Sequence, residues 1–278
     1  PTIDTMEVEM QPLTSQPDDS PLESVVAEHE SKATGDWLED FLNPPDQPRS
    51  CQLLRPENIA VPLCYLLVGL LQGLTSPLIN VFPKDLGASQ AQQTTESAVR
   101  SLPATFKLLF GFLSDNLPMC GFRRKPYMFM GWLLSCLSMV SLLVFTNLDI
   151  PPPGSRSEGD GTPEIIAVEG APSVGTFSVC LLVFGTGFWM ADVMGDSIVD
   201  EKAKLEPEAS RGSLQSSSYS YRFFGQMIAA PFSTYLYSAV GPYYVILLLS
   251  FLPLTILPFI FMLGEIRNAP VAPTAKQC

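Results

Sequence analysis

Lys107, Asp192, Asp196 and Arg222 stand inside blocks of about twenty residues that are mostly apolar. An ionised side chain at the centre of a hydrocarbon layer costs roughly 2.5–3.5 kcal/mol even on insertion scales, so each of these groups must face a partner or a water-filled cavity. Asp192, Asp196 and Asp200 follow one another at i, i+4 and i+8, which places three carboxylates on one helix face. Counting about 1.5 Å per residue, Lys107 and Asp192 share a depth of about 12 Å from one membrane boundary, and Asp196 and Arg222 lie nearer that boundary. The expected pairs are Asp196 with Arg222 or Asp192 with Arg222, with Lys107 competing. Such a cluster either aligns the helices as fixed ion pairs or lines a polar cavity that binds a solute or exchanges a proton. Asp200 falls near Lys202 and Lys204 and reads as an interfacial residue. Phe106, Trp189 and Tyr221 are sequence neighbours of the charges and offer faces on which a flat ring could stack.

The elements that hold these residues are membrane helices. With 46% apolar and 16% charged residues the chain departs from soluble composition. Apolar runs near the ~20 residues that a bilayer core demands occur at about 59–81, 97–114, 126–147, 174–197, 217–239 and 242–264. The fold class expected is all-α, a polytopic bundle of six transmembrane helices over 59–264. The second and fourth runs are the weakest, because they contain Arg100 and Lys107, and Asp192 and Asp196. Keeping all six puts Arg123, Arg124, Lys125, Lys202, Lys204, Arg211, Arg267 and Lys276 on the side of both termini, against Lys84, Arg100 and Arg156 opposite. That asymmetry obeys the positive-inside rule with cytoplasmic N- and C-termini.

Residues 1–58 are rich in Pro, Ser, Asp and Glu and read as a disordered acidic tail. Residues 148–173, with Pro151, Pro152 and Pro153, read as a flexible external loop, and 265–278 as a short cytoplasmic tail. These segments carry most of the net charge of −12. Clustered cations for a phosphate backbone are confined to Arg123, Arg124 and Lys125, which argues against nucleic acid. The six cysteines lack C-x-x-C spacing and the single histidine, His29, lies in the tail, so neither a metal site nor another cofactor is expected. Nor is an enzyme expected, since no nucleophile and base pair or phosphate-binding glycine loop is present. Prolines at 62, 77, 103, 231, 253 and 258 interrupt the spans, as bundles tolerate where neighbours re-satisfy the backbone.

Between the second and third runs the chain reads GFLSDNLPMCGFRRKPY, residues 111–127. Gly111 would let helices approach, Gly121 turns the chain, and Asp115 can pair with Arg123 or Arg124 in one conformation and release it in another. This block resembles the signature of the major facilitator superfamily. With ADVMGDSIVDEKAK at 191–204 and SLQSSSYSYRFFGQ at 213–226, it is similar more specifically to the folate-biopterin transporter family. The resemblance covers about residues 55–265. It implies one six-helix half, the N-terminal one, of a carrier that moves folates, pterins or related small organic solutes by alternating access, often with proton coupling. It also implies a latch at Gly111, Asp115, Gly121, Arg123 and Arg124 and a central site at Lys107, Asp192, Asp196 and Arg222. The partners implied are the lipid bilayer, a small solute such as folate or pterin, and a second half-bundle or another copy of the chain. Since such carriers have two halves, the chain reads as a piece of a longer protein or as a half that must pair. The alternative reading is a half-bundle that transports nothing and binds or regulates a membrane partner.

Overall fold

The computed structural model describes residues 48–150 and 169–265. Among them the regular elements are helical: α1 (Ala60–Leu74), α2 (Ser76–Asn80), α3 (Phe82–Asp85), α4 (Gln90–Ser101), α5 (Lys107–Asn116), α6 (Lys125–Phe145), α7 (Val174–Ala203), α8 (Ser213–Val240), α9 (Pro242–Phe251) and α10 (Leu257–Met262). Four segments among the described residues are long and apolar enough to cross a membrane: Ala60–Asp85, Lys125–Phe145, Val174–Ala203 and Pro242–Met262. The chain is an all-α, multi-pass membrane protein.

The expected second and fifth runs behave differently. Around 97–114 the chain is helical throughout, α4 passing through a 3-10 turn over Leu102–Phe106 into α5, but α4, QAQQTTESAVRS, is polar along most of its length. Pro103 at the start of that turn lacks an N–H, and the ladder tightens where the donor is missing. α8 has length enough at 28 residues, but its opening stretch, SLQSSSYSYR, is polar. The same 3-10 device recurs at Leu252–Ile256 with Pro253, between α9 and α10.

Small residues bring two helix pairs together. α1 meets α8 where Gly69 lies against the Arg222 backbone and Gly225 against the Leu66 carbonyl, and the Ser233 hydroxyl donates to Gly73 O at 3.0 Å. α6 meets α7 where Gly131 and Gly187 face each other's carbonyls, flanked by Ser135 donating to Phe184 O and Ser138 to Cys180 O. Lipid gives apolar helices little reason to associate, so close backbone approach and serine bonds do much of the joining. Aromatic packing fills the same seam: Trp132 of α6 meets Phe188 of α7 edge-on, and Phe188 stacks with Phe184.

Two stretches expected as tail or loop are partly packed. Within 1–58, residues 1–47 lie outside the described residues, but Cys51, Gln52, Leu53 and Asn58 are buried. Asn58 donates to three backbone carbonyls, and its own oxygen accepts from Lys202 at 2.7 Å, which ties the segment to the end of α7. Within 148–173, residues 151–168 lie outside the described residues, whereas Leu148 and Ile150 are buried and Asn147 N–H donates to Gly170 O. Of the tail at 265–278 only Glu265 is described.

A side chain at position 131 would drive its Cβ to 2.6 Å from Gly187 O. Gly131→Val is expected to cost about 1–3 kcal/mol, read as a lower unfolding midpoint in detergent. Gly111→Ala, whose Cβ would meet only Val193 at 3.9 Å, should leave the midpoint nearly unchanged.

Candidate functional site

The break at Pro103 makes Lys107 the first residue of α5 and turns it toward α7. Its ammonium donates to Asp192 Oδ2 at 2.8 Å, lies 3.6 Å from Asp196 Oδ2, and sits over the Trp189 ring at 4.6 Å from its centroid. Arg222 of α8 reaches the other oxygen of Asp192 at 3.1 Å, and its Nε donates to Gln72 of α1. Tyr65 of α1 donates to Asp196 Oδ1 at 2.6 Å and meets the ring of Tyr219 edge-on. Four helices thus converge on one cluster, which closes because Gly69 and Gly225 let α1 and α8 touch at the level of Arg222.

Burial divides the cluster. The Asp192 side chain is 1% exposed and Arg222 11%, against 27% for Asp196 and 35% for Lys107. Asp192 is therefore the structural hub, and Asp196 and Lys107 form its open side. Asp200, one turn further on, is exposed. Of the three rings proposed for stacking, Trp189 touches the cluster, whereas Phe106 is about half exposed and Tyr221 packs against the core. Tyr219 meets Tyr65, the partner of Asp196, edge-on.

A second charged group lies at the far end of α5. A tight turn, with paired bonds between Met119 and Phe122 and Gly121 at φ +80°, brings Arg123 and Arg124 back to Asp115 at 3.3 and 3.4 Å. Gly121 works as the turn residue, since a positive φ favours glycine. Gly111 does not work as a contact point: it leaves room for a methyl group beside Val193. Arg124 also reaches Glu201 of α7 at 2.6 Å. Glu265, after α10, accepts from the backbone N–H groups of Arg123, Arg124 and Lys125 at 2.8, 2.9 and 3.0 Å. Its carboxylate satisfies the free donors that open α6. Arg123, Arg124, Glu201 and Glu265 border a cleft of about 360 Å³.

Tyr65, Gln72, Tyr219, Glu201 and Glu265 are absent from the expected set. Gln72 and Tyr65 stand seven residues apart in an apolar helix, on one face, and a polar residue there was a readable signal. Glu265 gave none, because its partners lie some 140 positions away. Among the described residues no group of His, Cys, Asp and Glu is arranged to hold a metal ion.

The model of the BT1 family matches residues 69–151 and 167–277. The chain belongs to the BT1 family. Lys107, the 111–127 block, Asp192, Asp196 and Arg222 all fall within the residues that the BT1 model matches, while Tyr65 precedes them. Similar BT1-like relatives include the Folate-biopterin transporter of Synechocystis sp., 27% identical over 215 residues, covering 77% of this chain and 38% of that protein. Folate transporter 1 of Plasmodium falciparum is 25% identical over 167 residues, 60% of this chain and 28% of its own length. Probable folate-biopterin transporter 2 of Arabidopsis thaliana is 32% identical over 89 residues, 30% of this chain and 18% of its own. The chain spans less than two fifths of the length of these curated relatives.

Removing Asp192 leaves two cations facing each other, one of them largely buried. Asp192→Ala is expected to cost about 3–5 kcal/mol of stability, while Asp196→Ala, at a partly open position, costs about 1 kcal/mol or less. Unfolding midpoints of the two variants in detergent measure the order.

Proposed function

We propose that the chain is half of a major facilitator carrier for folates, pterins or related small organic solutes, and not an enzyme. All six helical segments cross the membrane, with the termini on the cytoplasmic side. The central cluster binds the solute and the Asp115, Arg123 and Arg124 group works as the latch of alternating access. The observation that carries the reading is Asp192 held between Lys107 and Arg222 inside the residues of the family match. Charges kept at such cost in a membrane helix are functional by default.

Beside the cluster, Leu108, Phe112, Phe223 and Met227 are exposed on α5 and α8. Lipid would suit these apolar side chains but not the neighbouring Lys107 ammonium, which is 35% exposed in side-chain terms. A second half-bundle, from the same protein or another copy, covers this face and closes the cavity around the charges. Alternating access follows if the pairs of Asp115 and Glu201 with Arg123 and Arg124 form in one conformation and part in the other. Proton exchange at the Asp192 and Asp196 carboxylates would supply coupling.

Uptake of labelled folic acid or biopterin into vesicles holding the purified chain tests the proposal. Lys107→Ala and Arg222→Ala should each lower uptake by about tenfold or more, since each removes a partner of a buried charge. Uptake indifferent to both substitutions would remove the site assignment. No uptake from any oligomer would favour the alternative, a half-bundle that binds or regulates a membrane partner.

A further inference from the structure

The four central charges differ in what they can still bind. Asp192 is 1% exposed and has one oxygen on Lys107 and the other on Arg222. Arg222 is engaged by Asp192 and Gln72, and Lys107 by Asp192 and the face of Trp189. Both cations are thus turned inward on Asp192. Asp196 is different. One oxygen accepts from Tyr65, while the other stands 3.6 Å from Lys107, beyond hydrogen-bond length, on a side chain that is 27% exposed. A carboxylate offers about four acceptor directions, so Asp196 presents unfilled acceptors on the open side of the cluster.

The geometry points to Asp196 as the group that recognises a planar heterocycle through an edge bearing two adjacent N–H donors, such as the 2-amino-4-oxopyrimidine edge of a pterin. This rests on the reading of the cluster as the solute site. The pairing is bidentate and charge-assisted, two N–H groups on one carboxylate, with the planarity that gives such pairs their specificity. The Tyr65 hydroxyl holds Asp196, and the Tyr219 ring, edge-on to Tyr65 with centroids 5.6 Å apart, offers a flat wall beside it. A solute carboxylate brought to the same place would meet a like charge. Anionic tails therefore lie away from Asp196, and the ring is what the cluster reads.

Equilibrium binding to the purified chain in detergent, with three probes, tests this. Biopterin carries the ring without a glutamate, p-aminobenzoylglutamate carries the glutamate without the ring, and folic acid carries both. Expected is binding of biopterin and folic acid but not of p-aminobenzoylglutamate, with Asp196→Asn weakening the first two by about tenfold or more, the scale of hydrogen bonds to a charged group. Asparagine keeps the shape of the side chain and an oxygen for Tyr65, and the elution profile and helical circular dichroism check its fold. Tyr65→Phe, which leaves the charge and loosens its orientation, is expected to cost a lesser, severalfold loss. Biopterin affinity within twofold of the parent in Asp196→Asn, together with its loss in Lys107→Ala, would keep the solute site and overturn the role of Asp196. Competition by p-aminobenzoylglutamate as strong as that of biopterin would overturn it as well. Binding of none of the three by the parent chain would defeat the solute-site reading itself, and this inference with it.

Discussion

Asp192 joins the two cations that the rest of the bundle must deliver to it. A carboxylate with almost no exposure is tolerable only when its charge is answered at short range, and here Lys107 comes from α5 and Arg222 from α8. That demand constrains both neighbours. α5 must begin where Lys107 can turn inward, which the 3-10 turn at Leu102–Phe106 allows. α8 must lie close against α1, which glycines at 69, 73 and 225 permit.

The helices are located by backbone contacts and by carboxylates that reach from elsewhere, together with the apolar core they share. Two long helices open on glutamates outside them. Glu206 accepts from the N–H groups of Gly212 and Leu214 at the start of α8, and Glu265 accepts from three N–H groups at the start of α6. Unsatisfied donors at a helix start are costly where water is scarce, so each cap also fixes where its own segment lies. Through Glu265 the end of α10 is tied to the turn that carries Arg123 and Arg124, and through Glu201 the same turn is tied to α7. The two charged groups, central and terminal, are linked by α5 and α7, which contribute to both.

Much of the central cluster was legible because charge in an apolar run is improbable without a partner, and a four-residue spacing puts partners on one face. Depth counting brought Lys107, Asp192, Asp196 and Arg222 to neighbouring levels. It left open which aspartate Arg222 meets, since that depends on the rotation of α7 and α8 about their axes. It did not show the 3-10 stretch inside the run at 97–114, because an apolar run does not reveal a tightened ladder at Pro103. It assigned Gly111 to a close approach that Gly131 and Gly187 make instead. Residues 48–58 looked like tail because their hydrogen bonds to the end of α7 are long-range and leave no periodic trace.

By itself the sequence determined the class of molecule, the residues that must be paired inside it, and the turn that returns two arginines to Asp115. These follow from local quantities: the hydropathy of a window, the cost of a buried charge, the spacing of side chains on a helix. Only the tertiary structure decided that Asp192 is the closed hub and Asp196 the open acceptor, that Tyr65, Gln72 and Tyr219 complete the cluster, and that Glu265 caps α6. Those outcomes depend on how closely helices approach and which faces they turn to one another, and that is set by contacts between residues far apart in the chain.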